Sequence, residues 1–296
     1  MTYRVTHRTT YRYDGEVSSS YGQMHVLPRD LPGGAQVCRA TTVVIDPVPD
    51  DYRERRDFFG NRVAYFEIRS AHRVLSVTAT TDVDVFGAHA TPLLAEQSWE
   101  QTRELTRAGT DPDALEARQY LLDSPLVAAS ADLAEYARPS FTPGRPALDA
   151  LRDLAGRIHD DFTYEPGATA VTTKVDEVLA GRRGVCQDFA HLAIGCLRSV
   201  GLAGRYVSGY LETTPQAGGS RLVGADVSHA WASLYVPPIG WVHVDPTNDQ
   251  LVDDHYVTTA WGRDYGDVPP LKGVVFTEAR EHELEVVVDV ARLESG

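Results

Sequence analysis

Residues 183–192 read Arg-Gly-Val-Cys-Gln-Asp-Phe-Ala-His-Leu, so a loop containing Gly184 leads into a helix that begins at Cys186. A helix start carries about half a positive charge, which helps a thiol there to ionise. Its first-turn amides can also hold an oxyanion, and the amide of Cys186 is the natural donor. Gly184 would let the backbone approach a substrate closely. A lone cysteine at a helix start is more often a small buried hydrophobe, but this setting favours a nucleophile.

A strand-like hairpin, residues 228–246, supplies a histidine near its start and an aspartate near its end. Because alternate residues of a strand share one face, His229 lies within direct or diagonal cross-strand reach of Asp245, given a bend or bulge in the register. A carboxylate on one imidazole nitrogen orients the ring and leaves the other nitrogen to face the thiol. We therefore predict a catalytic triad of Cys186, His229 and Asp245.

Other cysteines and histidines fit this chemistry less well. His191 points about 140° away from Cys186 on the same helix, so we interpret it as structural. Cys196 lies far from the helix start and is expected to pack in the core, and His243 is interpreted as a partly buried strand residue. The chain has no Cys-x-x-Cys or His-x-x-x-His pair and no Gly-x-Ser-x-Gly motif. We expect no metal site, no cofactor and no serine nucleophile.

Composition narrows the class of protein. The 296 residues include 28 Lys and Arg against 42 Asp and Glu, a net charge of −14, which weighs against nucleic acid and anionic membranes as partners. Residues 1–8 lack the apolar stretch of a signal peptide, and no run of about 18 apolar residues exists. Three cysteines are an odd and sparse set, so a disulfide scaffold is not expected. These features predict a cytoplasmic protein with no membrane span.

The pattern of residues predicts three regions. Residues 1–90 alternate apolar and polar residues between frequent turns, which is typical of a β-sandwich-like domain. Residues 91–140 read as a helical connector that ends in a run rich in proline and glycine. Residues 141–296 read as the catalytic core, with these elements: a helix over 148–162, a capping box at 173–176 before a helix that Gly181 ends, a helix over 186–200, a strand over 205–211 and a last strand over 284–290.

Several separated blocks resemble the bacterial transglutaminase-like family: 184–191, 203–210, 229–231 and 245–247. The run beginning at Tyr3 and passing through Leu27-Pro28-Arg29 looks like the β-rich N-terminal region of the same family. The resemblance implies an α+β fold with a papain-like core, in which a helix bearing the cysteine packs on an antiparallel sheet bearing the histidine and aspartate. It implies that the catalytic residues are Cys186, His229 and Asp245, with Tyr164 and Trp231 as candidates for a second oxyanion donor.

The resemblance leaves the reaction open, since the superfamily holds protein cross-linkers, amide hydrolases and proteins with no known reaction. One thioester serves these activities, and the outcome depends on whether water or an amine reaches it. We expect a cysteine-dependent hydrolase acting on a peptide or protein substrate. The alternatives are a protein-glutamine transglutaminase with an amine acceptor, and a binding or scaffold protein without catalysis.

Overall fold

The structure, a computed structural model, describes residues 1–86, 96–212 and 228–293. Its strands are β1 (Thr2–Met24), β2 (Gln36–Asp46), β3 (Asp51–Arg56), β4 (Arg62–Ile68), β5 (His72–Val85), β6 (Thr163–Tyr164), β7 (Arg183–Gly184), β8 (Gly204–Leu211), β9 (His229–Val236), β10 (Gly240–Asp245), β11 (Gln250–Leu251), β12 (Tyr256–Gly262), β13 (Leu271–Thr277) and β14 (His282–Arg292). Its helices are α1 (Trp99–Ala108), α2 (Pro112–Ala117), α3 (Ala131–Ala137), α4 (Ala147–Asp161), α5 (Val175–Gly181) and α6 (Cys186–Ser199). Within these ranges no helix has the length and apolar character needed to cross a membrane.

The β-rich first part is a seven-stranded antiparallel sheet built around β1. Its strand order is β2-β5-β1-β4-β3, and β13 and β14 also pair with β1. The first half of β1 pairs with β5 and β14, and its second half pairs with β4 and β13. Tyr3, Val5 and His7 are buried while Arg4 and Arg8 are exposed, which is the alternation expected of a strand with one covered face.

The last strands of the chain lie in this first sheet. The predicted strand over 284–290 is confirmed, and it lies within β14. Its place in the sequence predicts a strand of the catalytic core, but its hydrogen bonds go to β1. The predicted division at residues 90 and 140 stays a prediction, and residues 87–95 of the connector lie outside the described residues.

The second sheet carries the α+β core, which confirms the predicted fold class. Its order is β11-β10-β9-β8-β12, with α6 packed on β8 and β9 and α4 on β10 and β11. Every residue of β8 and β9 is buried. The predicted helix over 148–162 is confirmed as α4, whose leucines and Ile158 face the core. The helix predicted to open at Cys186 is α6, and Gly201 follows it in the left-handed region.

The start and end of α5 differ from the sequence interpretation. The helix begins at Val175, and Glu177 Oε1 accepts a hydrogen bond from the Lys174 amide. Thr173 Oγ1 instead accepts a hydrogen bond from the Ala170 amide, so it closes the preceding turn. Gly181 is the last helical residue, and the left-handed position falls on Arg182 with φ 54°. The predicted capping box over 173–176 is therefore wrong in both its first and its last residue, because the threonine hydroxyl accepts from the Ala170 amide and the acid that bonds back to the cap is Glu177.

Two buried amide side chains join the first sheet to β12. Gln36 donates from Nε2 to the Thr258 carbonyl (2.8 Å) and accepts from the Thr258 amide at Oε1 (2.8 Å). Asn61 donates from Nδ2 to the Trp261 carbonyl (2.8 Å) and accepts from the Trp261 amide at Oδ1 (3.0 Å). Each side-chain amide thus makes the pair of hydrogen bonds that a backbone residue of a neighbouring strand would make. Both side chains have no exposed surface, so they satisfy backbone groups of β12 that would otherwise be buried without partners.

Gly209 in β8 is required by its neighbours, and we expect Gly209→Ala to destabilise the protein by about 1–3 kcal/mol through overpacking. A Cβ there would lie 2.2 Å from the Val257 carbonyl oxygen and 2.4 Å from the Trp231 ring. Gly181→Ala is the control, since a Cβ at Gly181 meets nothing within 4 Å. It should leave stability unchanged or slightly raised. Urea unfolding of both variants measures the free energies, and equal stability of the two would contradict the packing argument.

Candidate active site

The start of α6 is organised by a carboxylate. Asp188 Oδ2 accepts hydrogen bonds from the Val185 amide (2.8 Å) and from Thr169 Oγ1 (2.5 Å), which fixes the turn that leads into Cys186. A Cβ at Gly184 would lie 2.6 Å from Asp188 Oδ2. The space beside Gly184, which the sequence analysis assigned to a substrate, therefore holds the Asp188 carboxylate. Burial raises the pKa of Asp188.

A short parallel pair of strands brings Tyr164 to the cysteine. Tyr164 pairs with Gly184 between β6 and β7, and the Glu165 amide donates to the Gly184 carbonyl (2.8 Å). The pKa of Tyr164 is raised to about 12, by burial first and then by electrostatic interaction with Cys186 and Asp245. Its hydroxyl makes no hydrogen bond to any residue that the structure describes. Tyr164 therefore carries a protonated hydroxyl close to the thiol.

The hairpin of β9 and β10 places His229 against Asp245. The strands pair from Val236 opposite Gly240 to Ala232 opposite Val244 without a register shift. The next pair in that register sets Asp245 one diagonal step from His229. The distance from His229 Nε2 to Asp245 Oδ2 is 2.8 Å, and neither side chain has exposed surface. No bulge is needed in this ladder, in contrast to the sequence expectation.

The Asp245 carboxylate is fully engaged by donors. Oδ1 accepts from the Thr247 amide (2.9 Å), and Oδ2 accepts from Asn248 Nδ2 (2.7 Å) and Tyr256 Oη (2.8 Å) as well as facing His229. Burial alone would raise the pKa of Asp245. The charge of His229 and these hydrogen bonds outweigh burial and lower it. The aspartate is thus held as a carboxylate inside the protein.

The imidazole of His229 is held in its protonated form. Burial alone would lower its pKa, but its interactions with Asp245 and then with Cys186 raise it to about 10. Because the folded-state value exceeds the ordinary 6.5, the stability that this pair contributes is complete below pH 6.5 and is lost as the pH rises through about 10. Nδ1 of His229 has no close hydrogen-bond partner among the described residues, and Cys186 is the further hydrogen-bonding neighbour of this ring besides Asp245. That nitrogen is therefore available to the neighbouring thiol.

The competing residues lie where structural roles were predicted. Trp231 Nε1 donates to His243 Nδ1 (3.3 Å), and burial lowers the pKa of His243 to about 3. His191 accepts from the Tyr265 amide at Nε2 (3.1 Å), and burial lowers its pKa to about 4. Cys196 has no exposed surface, and burial raises its pKa to about 12. None of these groups is poised to take a proton from Cys186.

One group of metal-capable side chains occurs within the described ranges. Ligand atoms of Asp253, Asp254 and His255 lie within 4.8 Å of one another near the surface. His255 Nδ1 already contacts Asp253 Oδ1 at 2.9 Å. The group includes none of the three predicted catalytic residues.

Sequence reasoning missed three residues that shape this site. Asp188 had a local signal, because an acid three residues after a helix cap often bonds back to the cap amide. Asn248 also had one, since it follows Asp245 by three residues in a turn. Tyr256 had none, because its contact with Asp245 depends on how β12 returns beside β8.

Comparison with known proteins gives two family matches. Residues 3–84 match the bacterial transglutaminase-like N-terminal region, and residues 134–246 match the transglutaminase-like superfamily. The second range contains Cys186, His229 and Asp245. The positions of the two matches agree with a β-rich first part followed by the core that carries the candidate site.

Curated relatives cover the whole chain. An uncharacterised protein from Mycobacterium tuberculosis is 47% identical over 301 residues, covering 99% of this chain and 93% of the relative. One from Mycobacterium leprae is 32% identical over 293 residues, covering 98% of each. A protein-glutamine gamma-glutamyltransferase from Pseudomonas aeruginosa is 37% identical over 93 residues, only 30% of this chain and 14% of that one.

A solved structure shares the fold. It is a protein from Cytophaga hutchinsonii, provisionally described as a cysteine protease, with a TM-score of 0.73 and 20% identity. The match covers 100% of this chain and 92% of that one. At this identity the likeness shows the common fold.

Asp245→Asn should lower the pKa of His229, because Asp245 supplies the largest of the interactions that raise it. The imidazole signal of His229, followed by NMR in protein with labelled histidine, measures this pKa directly. Asp253→Asn removes an exposed carboxylate elsewhere and is the control that should leave the titration unchanged. An unchanged His229 pKa in Asp245→Asn would show that the pair is not electrostatically coupled.

Proposed function

Because the chain belongs to the transglutaminase-like superfamily, we propose that it is a cysteine enzyme that transfers acyl groups from amide or peptide bonds. Cys186 is the nucleophile, His229 the base and then the acid, and Asp245 the residue that orients the imidazole. The observation that carries the proposal is the buried 2.8 Å contact between His229 and Asp245, with the opposite ring nitrogen unpartnered and Cys186 close enough to raise the pKa of His229.

The reaction divides into two transfers. In the first, Cys186 Sγ bonds to the carbonyl carbon, the carbon–nitrogen bond breaks, and the leaving amine takes a proton from His229. In the second, water bonds to the thioester carbon while His229 takes its proton, and the carbon–sulfur bond breaks to return the thiolate. The buried carboxylate of Asp245 stabilises the imidazolium on which the first transfer depends.

Both transfers place negative charge on the carbonyl oxygen, which needs donors. The amide of Cys186 at the start of α6 is the first. Tyr164 Oη is the second, because Tyr164 pairs with Gly184 and interacts electrostatically with Cys186, stays protonated with its pKa near 12, and makes no hydrogen bond to a described residue. Trp231 is the weaker candidate, since its indole N–H already donates to His243.

Hydrolysis of a peptide or isopeptide-like amide is the favoured outcome. It requires only that water reach the thioester, whereas cross-linking needs a second groove that admits a lysine side chain and keeps water out. The Cytophaga protein that shares this fold is provisionally described as a cysteine protease. The Pseudomonas relative is named a glutamyltransferase, so transfer to an amine is the second candidate.

Cys186→Ala should lower turnover of a panel of peptide and glutamine-containing substrates by at least about 10³-fold, because no other group forms the thioester. Mass spectrometry of the products, with and without added methylamine, separates acids made by water from amides made by transfer. Cys38→Ser is the control, since Cys38 lies in the first sheet. Equal turnover by wild type and Cys186→Ala would overturn the nucleophile assignment.

Alkylation of Cys186 distinguishes a cysteine enzyme from a scaffold protein without catalysis. Iodoacetamide should label Cys186 at about neutral pH, and His229→Ala should abolish that labelling. A scaffold with an inert thiol would show no such labelling in the wild type.

Tyr164→Phe should lower kcat by about 10²-fold with little change in KM, because the lost donor acts on the oxyanion and not on the bound substrate. Tyr136→Phe is a matched control, since Tyr136 Oη bonds to Asp161 away from the thiol. Equal kcat values for wild type and Tyr164→Phe would remove Tyr164 from the mechanism.

A further inference from the structure

A cavity lies next to the candidate active site. Its volume is about 340 Å³, and it is bounded by the core sheet, by α2 and by the first part of the chain. Arg205, Trp241 and Trp261 line it on the side of the core sheet. Tyr256 lines it too, and its hydroxyl donates to Asp245. The volume falls in the range of pockets that bind small molecules.

Arg205 differs from the other buried arginines. Arg198 gives its donors to four carbonyl oxygens and a serine hydroxyl, and Arg29 donates from Nη1 to the Phe59 carbonyl and to Asn61, although its Nε has no partner. Arg205 is only 3% exposed, and among the described residues its guanidinium has the neutral Tyr120 hydroxyl as a hydrogen-bonding neighbour but no ion pair with a carboxylate. Its Nε is buried without a partner. An unpaired buried guanidinium is costly, which points to a partner that the chain does not supply.

Two tryptophans hold this guanidinium flat. Its central carbon lies 4.0 Å from the ring centroid of Trp241 and 3.9 Å from that of Trp261. The aromatic faces offset part of the cost of burial, but they leave the N–H groups at the edge of the guanidinium plane unpaired. Trp261 Nε1 is also buried without a partner. The cavity is thus lined by a guanidinium whose charge no carboxylate of the described residues neutralises, which suits a ligand that carries a carboxylate.

The rim of the cavity has the opposite charge. Asp113, Glu116 and Asp253 line it and are exposed. None of the three comes within ion-pair distance of Arg205, which fits carboxylates at the mouth and a cation in the interior. Their negative charge would repel a simple anion, so the ligand also needs a positive group.

We propose that this cavity binds a small zwitterion, an amino acid or dipeptide with an apolar side chain. The carboxylate accepts from the guanidinium of Arg205, and the ammonium group faces the carboxylates of the rim. Ile239 and Val252, which also line the cavity, contact the apolar side chain. This site uses none of the catalytic residues, so it does not depend on the proposed function.

Calorimetric titration of the full chain tests the charge pattern. The probes are leucine and leucyl-leucine, with N-acetyl-leucine lacking the ammonium group and leucinamide lacking the carboxylate. At least one zwitterion should bind with one-to-one stoichiometry, and each capped analogue of leucine should bind at least about 10-fold more weakly, since each loses one charged contact. Binding by neither zwitterion, or equal binding by a capped analogue, overturns the proposal.

Variants place the binding in this cavity. Arg205→Lys should weaken binding by at least about 10-fold, because lysine cannot lie flat between two rings and donate in their plane. Glu116→Gln changes an exposed residue of α2 and should weaken binding about 2- to 5-fold. Asp132→Asn, an exposed acid of α3, is its control. Unchanged binding in Glu116→Gln overturns the proposal even if Arg205→Lys fails to fold.

Cys186→Ala should bind as wild type does, whether or not the chain is an enzyme, and loss of binding there would instead place the ligand at the thiol.

Discussion

Asp245 is a carboxylate without exposed surface, and burying such a charge is tolerated only when it is paired and hydrogen-bonded. The Thr247 amide, Asn248 and Tyr256 come from the turn after β10 and from β12, and His229 comes from β9. The chain must therefore bring these segments together to bury this one charge. The same contacts fix the tautomer and direction of the imidazole, so the requirement for stability and the requirement for proton transfer coincide.

Much of the candidate site follows from local patterns. A cysteine at a helix start and a hairpin with two-residue periodicity are readable because helix and strand geometry depend on nearby residues. They were enough to predict α6 and the cross-strand reach between His229 and Asp245. The role of Gly184 was misread, because the direction of its missing side chain, toward Asp188, is set by the helix cap. Tyr256 was missed because the return of β12 beside β8 has no local signal.

Local sequence patterns do not predict how the two sheets pack together. In the sequence Gln36 and Asn61 look like ordinary polar residues. In the structure both the oxygen and the nitrogen of each side-chain amide form hydrogen bonds to the backbone of β12. The sequence pattern predicts the strand over 284–290 but not its partner. Strand β1 lies about 280 residues away, and any exposed apolar strand could have paired with this one. Arg205 belongs to a block that resembles the family, and only the structure shows that its Nε is buried without a partner in the wall of a cavity.

The pairing of β1 with the end of the chain has a consequence for synthesis. The ribosome releases residues 2–24 first and residues 271–292 about 250 residues later, a delay of roughly 10–50 seconds at ordinary rates of translation. During that interval one edge of the nascent β1 is open to the wrong strand, whether from the same chain or from another. Arg4, Arg8 and Arg12 lie exposed along it, so repulsion between like charges guards that edge against a second copy of itself until the final strands arrive.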